Sequence, residues 1–170
     1  MRRAGLLLAV MAVALVLGSS MAMAAVKFGT DRADFLVGTK ESDVLHGRGG
    51  TDFIDGRGGD DISYGGAGGD EVISFPGDDI LFGGRGNDFL IEGKGNNTLF
   101  GGGGNDFFQA TAIDPDRPGS VSITPKKRDL VFCGSGRDTV VMDPGGIDFA
   151  ASDCERVYVR TGQGDKLIRS

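Results

Sequence analysis

The sequence predicts an all-β chain wound as a parallel β-solenoid, and three observations held in phase predict it. Stepping by nine from Asp34 meets Asp43, Asp52, Asp61, Asp70, Asp79, Asp88, Asn97 and Asp106 with no insertion or deletion. Two residues after each stands Leu36, Leu45, Ile54, Ser63, Val72, Leu81, Leu90, Leu99 or Phe108, apolar with one exception. Two residues before each of the last seven stands Gly50, Gly59, Gly68, Gly77, Gly86, Gly95 or Gly104. Glycine-rich composition alone would also permit disorder. Low complexity does not keep three positions phased over nine copies, whereas stacked repeats do.

The chain opens with Met1-Arg2-Arg3, runs through an apolar stretch from Ala4 to Leu17 and reaches Ala22-Met23-Ala24. Residues 1–24 therefore read as a secretory signal cleaved after Ala24, which places the mature protein outside the cell. The apolar run is shorter than the roughly 20 residues of a spanning helix, so no integral membrane segment is expected. Residues 25–28 are a lead-in. Beyond Ala24 the chain carries 16 basic and 24 acidic side chains, a sign that argues against nucleic acid and anionic membranes as partners. The acid is concentrated in residues 29–109, which hold 15 acidic and 6 basic side chains.

The copy at residues 83–91, GGRGNDFLI, fits the nonapeptide G-G-x-G-x-D-x-U-x, in which U is a large aliphatic residue. On these residues the array from 29 to 109 resembles the RTX, or haemolysin-type, calcium-binding repeat family. The resemblance implies that six residues of each repeat form a turn and three a short strand. It also implies that two repeats make one coil of a parallel β-roll, with several calcium ions as cofactors.

The residue types point the same way. Glycines permit positive φ and close backbone approach, so successive carbonyls can converge on an ion. A carboxylate then completes an oxygen cage of the kind calcium takes, with six to eight hard oxygens in a forgiving geometry. Zinc would call for His and Cys, and the array holds only His46. The candidate side-chain ligands are Asp43, Asp52, Asp61, Asp70, Asp79, Asp88, Asn97 and Asp106, with the seven turn glycines named above supplying backbone; Asp34, Asp129 and Asp138 are weaker candidates.

With two repeats per coil, Asp34, Asp52, Asp70, Asp88 and Asp106 stack in one column and Asp43, Asp61, Asp79 and Asn97 in another. Neighbours would lie about 4.8 Å apart. Two unit charges at roughly 5 Å repel by about 3 kcal/mol at an effective dielectric of 20. A divalent ion between turns reverses that sign, so folding is expected to depend on calcium. Stacking permits four inter-turn ions in the first column and three in the second. Arg32 and Glu41 replace the fourth-position glycine in the first two repeats, which are expected to act as a cap that binds calcium poorly. Asn97 keeps an oxygen but loses a charge, so its site should be weaker. Ser63 interrupts the inward apolar column, although Ile62 and Tyr64 flank it.

Outward strand positions carry Phe35, Phe53, Phe89 and Phe107 in one set and His46, Tyr64, Phe82 and Phe100 in another, each expected to form a ladder on its own face. The C-terminal segment or the opposing surface is expected to cover them. Self-association or binding of a surface polysaccharide through these residues is the alternative.

Pro115, Pro118 and Pro125 mark residues 110–125 as a connecting loop, and residues 126–170 form a degenerate extension. In it Asp129 and Asp138 are again nine apart, and CGSGRDTVV at 133–141 repeats the turn and strand pattern. CGSGRD followed by DCERV resembles the degenerate ends of secreted actinobacterial calcium-binding proteins. The chain has only two cysteines, Cys133 and Cys154; in an oxidising compartment a disulfide is expected, with two buried thiols as the alternative.

No enzymatic activity is expected. The array starts a few residues past the expected cleavage site, His46 reads as an exposed residue at a strand edge, and no Ser or Cys motif accompanies it. Calcium binding by the stacked turns is the expected function, with a calcium-stabilised structural or adhesive surface module as the alternative.

Overall fold

The computed structural model describes residues 23–110, 128–142, 149–161 and 164–170. Nearly all of the expected signal segment and of the connecting loop lies outside them. The described residues contain fifteen strands and no helix: β1 (Val26–Phe28), β2 (Phe35–Val37), β3 (Val44–Gly49), β4 (Phe53–Asp55), β5 (Ile62–Ala67), β6 (Glu71–Ile73), β7 (Ile80–Arg85), β8 (Phe89–Ile91), β9 (Thr98–Gly103), β10 (Phe107–Ala110), β11 (Leu130–Ser135), β12 (Thr139–Met142), β13 (Phe149–Ala150), β14 (Arg156–Thr161) and β15 (Gly164–Arg169). Residues 25–28, read from sequence as a lead-in, include β1, which pairs with β3 and is already part of the roll.

Odd strands β1 to β13 make one seven-stranded sheet, and β2 to β14 with β15 make an eight-stranded one. Every pairing is parallel except β14 with β15. Each nine-residue repeat supplies one strand, and successive strands go to opposite sheets, six residues long in one and mostly three in the other. Residues 18 apart therefore stack, as Leu36 on Ile54 and Val44 on Ile62 do.

Across the segment between β10 and β11 the partners are 32 residues apart, as in Leu99 with Val131 and Phe108 with Val140. Fourteen extra residues leave the stacking intact. The extension is thus a continuation of the same roll, closed at one end by the hairpin of β14 and β15.

The phased apolar residue points inward from both sheets. Leu45, Leu81, Leu99 and Val131 line one side, and Ile54, Val72, Leu90, Phe108, Val140 and Val157 the other, all at most 2% exposed. Burial of each such side chain contributes roughly 1.5–3 kcal/mol. Ser63 takes its place in this row between Leu45 and Leu81, buried, with no hydrogen-bond partner for its hydroxyl. Its neighbours Ile62 and Tyr64 face outward and do not fill the gap.

Outward, Phe28, His46, Tyr64, Phe82, Phe100 and Phe132 form one continuous face-to-face stack, with ring centroids 4.5–5.0 Å apart. His46 is half-buried within it rather than exposed at a strand edge, because its strand neighbours at the same position are rings. The second set is not a ladder: Glu71 stands between Phe53 and Phe89, leaving the separate pairs Phe35–Phe53 and Phe89–Phe107. Among the described residues the C-terminal hairpin covers neither set, since β15 extends the sheet edge beside β14.

Candidate metal centre

Each turn is held to the next coil through its aspartate. In the first column the amide of Asp34 donates to Asp52 Oδ1, Asp52 to Asp70, Asp70 to Asp88, Asp88 to Asp106 and Asp106 to Asp138, all at 2.8–2.9 Å; Asp138 donates to Glu155 Oε2. In the second column Asp43 donates to Asp61, Asp61 to Asp79, Asp79 to Asn97 and Asn97 to Asp129 at the same distances. Both columns therefore run through the positions read from the nine-residue phase. Asp129 and Asp138, weaker candidates by sequence, occupy the same ladder positions as the central residues.

The second oxygen of these carboxylates is the unusual atom. Oδ2 of Asp52, Asp61, Asp70, Asp79, Asp88, Asp106 and Asp138 is buried with no hydrogen-bond partner. A lone buried carboxylate oxygen is costly unless a cation meets it. Burial accordingly pushes Asp61 and Asp88 up to about 7 and Asp79 and Asp106 to about 6, and raises Asp52, Asp70 and Asp138 as well. Neighbouring carboxylates add to the effect, from within the column at Asp52, Asp61, Asp70, Asp88 and Asp106 and from Asp60 and Asp78 outside it at Asp79, where the Ser74 hydroxyl acts in the opposite direction.

In the first column the lone oxygens of Asp52, Asp70, Asp88 and Asp106 converge on backbone carbonyls. A Cβ built on Gly65, the first residue of its turn, would lie 2.6 Å from both Asp70 Oδ2 and the Gly83 carbonyl of the next coil; at Gly83 the corresponding distances are 2.5 Å to Asp88 Oδ2 and 2.8 Å to the Gly101 carbonyl. Carboxylate and carbonyl oxygens gathered this closely, with no N–H or O–H donor between them, form a cradle suited to a hard cation. No three His, Cys, Asp or Glu side chains come together among the described residues. The donors at hand are thus one carboxylate per turn with carbonyls around it, a set that suits calcium rather than zinc.

The turn glycines make the approach possible. Gly68 and Gly86 have φ of 142° and 121°, and a side chain on either would run into the carbonyl of the coil before. Gly50, Gly59, Gly95 and Gly104 share the positive φ expected of them. Gly77 does not, and its turn is Ser74-Phe75-Pro76-Gly77, where the proline ring fixes φ and restricts Phe75.

The first two repeats close themselves. Asp34 Oδ2 accepts from the Thr30 amide at 2.6 Å and from its hydroxyl at 2.8 Å, which holds the Asp34 carboxyl below its usual range. Asp43 Oδ2 accepts from the Thr39 amide. Threonine, not only the missing glycine, distinguishes these turns. Thr30 and Thr39 follow Gly29 and Gly38 directly, a signal visible in the sequence but not read from it.

Outside the columns, Asp78 donates its amide to Asp60 Oδ1 and Asn96 to Asp78 Oδ1, while Asn105 donates to Asn87 Oδ1, so the residue before each aspartate adds a shallower ladder. Cys133 and Cys154 form the expected disulfide, buried between β11 and the start of β14.

A family model described as RTX calcium-binding nonapeptide repeat (4 copies) matches residues 28–63, 55–90 and 93–111. Searches of curated proteins and of solved structures gave no match. The family's turn-and-strand unit agrees with the coil of two repeats, the paired Asp columns and the bare glycine cradles. Residues 28–90 and 93–111 are thus similar to RTX calcium-binding nonapeptide repeats.

Proposed function

We propose that this chain is a calcium-binding β-roll that reaches its folded state on meeting calcium outside the cell, and that it acts by binding rather than by catalysis. The observation that carries the reading is the row of buried, unpartnered Oδ2 atoms facing backbone carbonyls. Asp52, Asp70, Asp88, Asp106 and Asp138 in the first column, and Asp61 and Asp79 in the second, would hold the ions. Each ion would neutralise two stacked carboxylates, so the free energy of binding would become free energy of folding. Extracellular calcium modules commonly bind at about 10⁻⁴ to 10⁻³ M, a level that secretion from a calcium-poor cytosol would reach.

The test is a calcium titration of the chain from residue 25, followed by far-ultraviolet circular dichroism and calorimetry. A gain of β-structure that saturates, with heat of binding, is expected. An unchanged spectrum would refute calcium-dependent folding, and an absence of heat would refute calcium binding.

The ring stack on the odd-strand sheet favours a second role as a structural or adhesive module. Two outward rows of that sheet, Val26 to Phe149 and Phe28 to Phe132, contain no Asp, Glu, Lys or Arg, while Arg48 of β3 lies over the terminal Phe28 ring at 5.3 Å. Stacked face to face, the inner rings present their edges, which suits contact with another flat surface better than stacking against sugar rings. Light scattering of the calcium-loaded protein tests it: a dimer or higher assembly is expected, and a strict monomer would exclude self-association.

A further inference from the structure

The turn at residues 92–97 departs from its neighbours in two places at once. Where most turns begin with glycine it has Glu92, as the turn one coil before has Ser74, and where the other turns of the array end with aspartate it has Asn97. Glu92 is 1% exposed and Asn97 fully buried. The Asn97 side chain accepts the Asp79 amide through Oδ1 at 2.9 Å, which fixes its orientation and leaves the NH2 group on the side where an aspartate carries its lone oxygen. That Nδ2 donates to Glu92 Oε2.

At the turns that begin with Gly47, Gly65, Gly83 and Gly101, the aspartate Oδ2 and a carbonyl of the next coil approach the first α-carbon with no N–H donor between them. Here the Glu92 side chain starts from that α-carbon, and an N–H lies between the two side chains. A hydrogen bond has replaced the convergence that calls for a cation. The carboxyl group is kept, moved from the sixth residue of the turn to the first.

We infer that Glu92 and Asn97 form a built-in closure that takes the place of a calcium ion, so that the turn at 92–97 binds none. The inference rests on the calcium reading above and gives the reason Asn97 is not among its ligands. With Asp43 closed by Thr39 and Asn97 by Glu92, the second column retains Asp61 and Asp79 as orphaned carboxylates, against five in the first. The roll is then asymmetric, loaded mainly along one side. Sequence spacing assigns Asn97 a weak site; the geometry assigns it none.

The test counts ions per chain, by calcium calorimetry and by elemental analysis of the gel-filtered protein, for the natural chain and three variants. Glu92→Ala and Glu92→Gln should leave the count unchanged; alanine is tolerated at this register position, as Ala110 shows one coil on. Glu92→Gly combined with Asn97→Asp restores the regular turn and should raise the count by at least one. Loss of an ion in either single variant would make Glu92 a ligand and overturn the inference, as would an unchanged count in a folded double variant. If the double variant does not fold, the single variants decide alone. A natural chain that takes no calcium would instead defeat the calcium reading itself, and this inference with it.

Discussion

The amide of Asp88 donates to Oδ1 of Asp106 at 2.9 Å, while Oδ2 of the same carboxylate is buried and meets no donor. One oxygen of Asp106 thus ties coil to coil, and the other is left for something the chain itself does not supply. The division recurs along both columns and generates most of what can be tested.

Acid should substitute in part for calcium. The raised carboxyls, Asp61 and Asp88 at about 7 and Asp79 and Asp106 at about 6, bind more protons in the fold than in the unfolded chain, where they titrate near 3.8. Between those values unfolding releases protons, so the metal-free roll loses stability as pH rises and carries the full penalty above about 7. In chelator, circular dichroism should show more β-structure at pH 5 than at pH 8, and calcium affinity should fall over the same interval as protons compete. A metal-free protein that is less structured at pH 5 than at pH 8 would contradict this.

Asp88→Asn should separate the two oxygens. Asparagine keeps the acceptor for the Asp70 amide, as Asn97 does for Asp79, but puts an NH2 group in place of the lone oxygen. The calcium count by calorimetry should fall by at least one, as the arrangement at Asn97 implies, with the β-structure of the calcium-loaded protein preserved. Asp88→Ala also strands the Asp70 amide and should cost about 1–3 kcal/mol more in a denaturant melt.

Gly65→Ala should block a cradle. The added methyl would lie 2.6 Å from both Asp70 Oδ2 and the Gly83 carbonyl, inside contact distance of two oxygens. Overpacking of this kind costs about 1–3 kcal/mol, and the calcium count by calorimetry should drop by at least one. An alanine variant with the natural count and melting point would remove the cradle from the account.

Reducing the disulfide, or replacing Cys133 and Cys154 together by serine, opens a loop of 21 residues' separation. Chain entropy puts the loss at about 3 kcal/mol. The melting temperature of the calcium-loaded protein should fall in the double variant and under reductant alike.

The columns and the inward apolar rows were legible because a strict period of nine, repeated without a gap, places equivalent residues in contact every 18. What that period misses is what breaks it. Glu155 closes the first column 17 residues after Asp138, one short of the spacing. Phe132 completes the ring stack 32 residues after Phe100, beyond the insertion, and Phe28 lies just ahead of the first repeat. Glu71 interrupts the other aromatic set at a register position that sequence spacing already held, had the set been read for gaps. The closures by Thr30, Thr39 and Glu92 have their residues in plain sight in the sequence, but their meaning depends on which oxygen of a carboxylate is left over, and that only the fold shows.

The insertion between β10 and β11 bears on how such a chain can change. Partners there are 32 residues apart instead of 18, and Asn97 still donates to Asp129 and Asp106 to Asp138 at 2.8 Å. The roll therefore counts coils, not residues. One corner can lengthen freely so long as the two strands beside it rejoin the stack, which makes that corner a grafting point where a foreign peptide could be displayed while the ladders on either side stay in step.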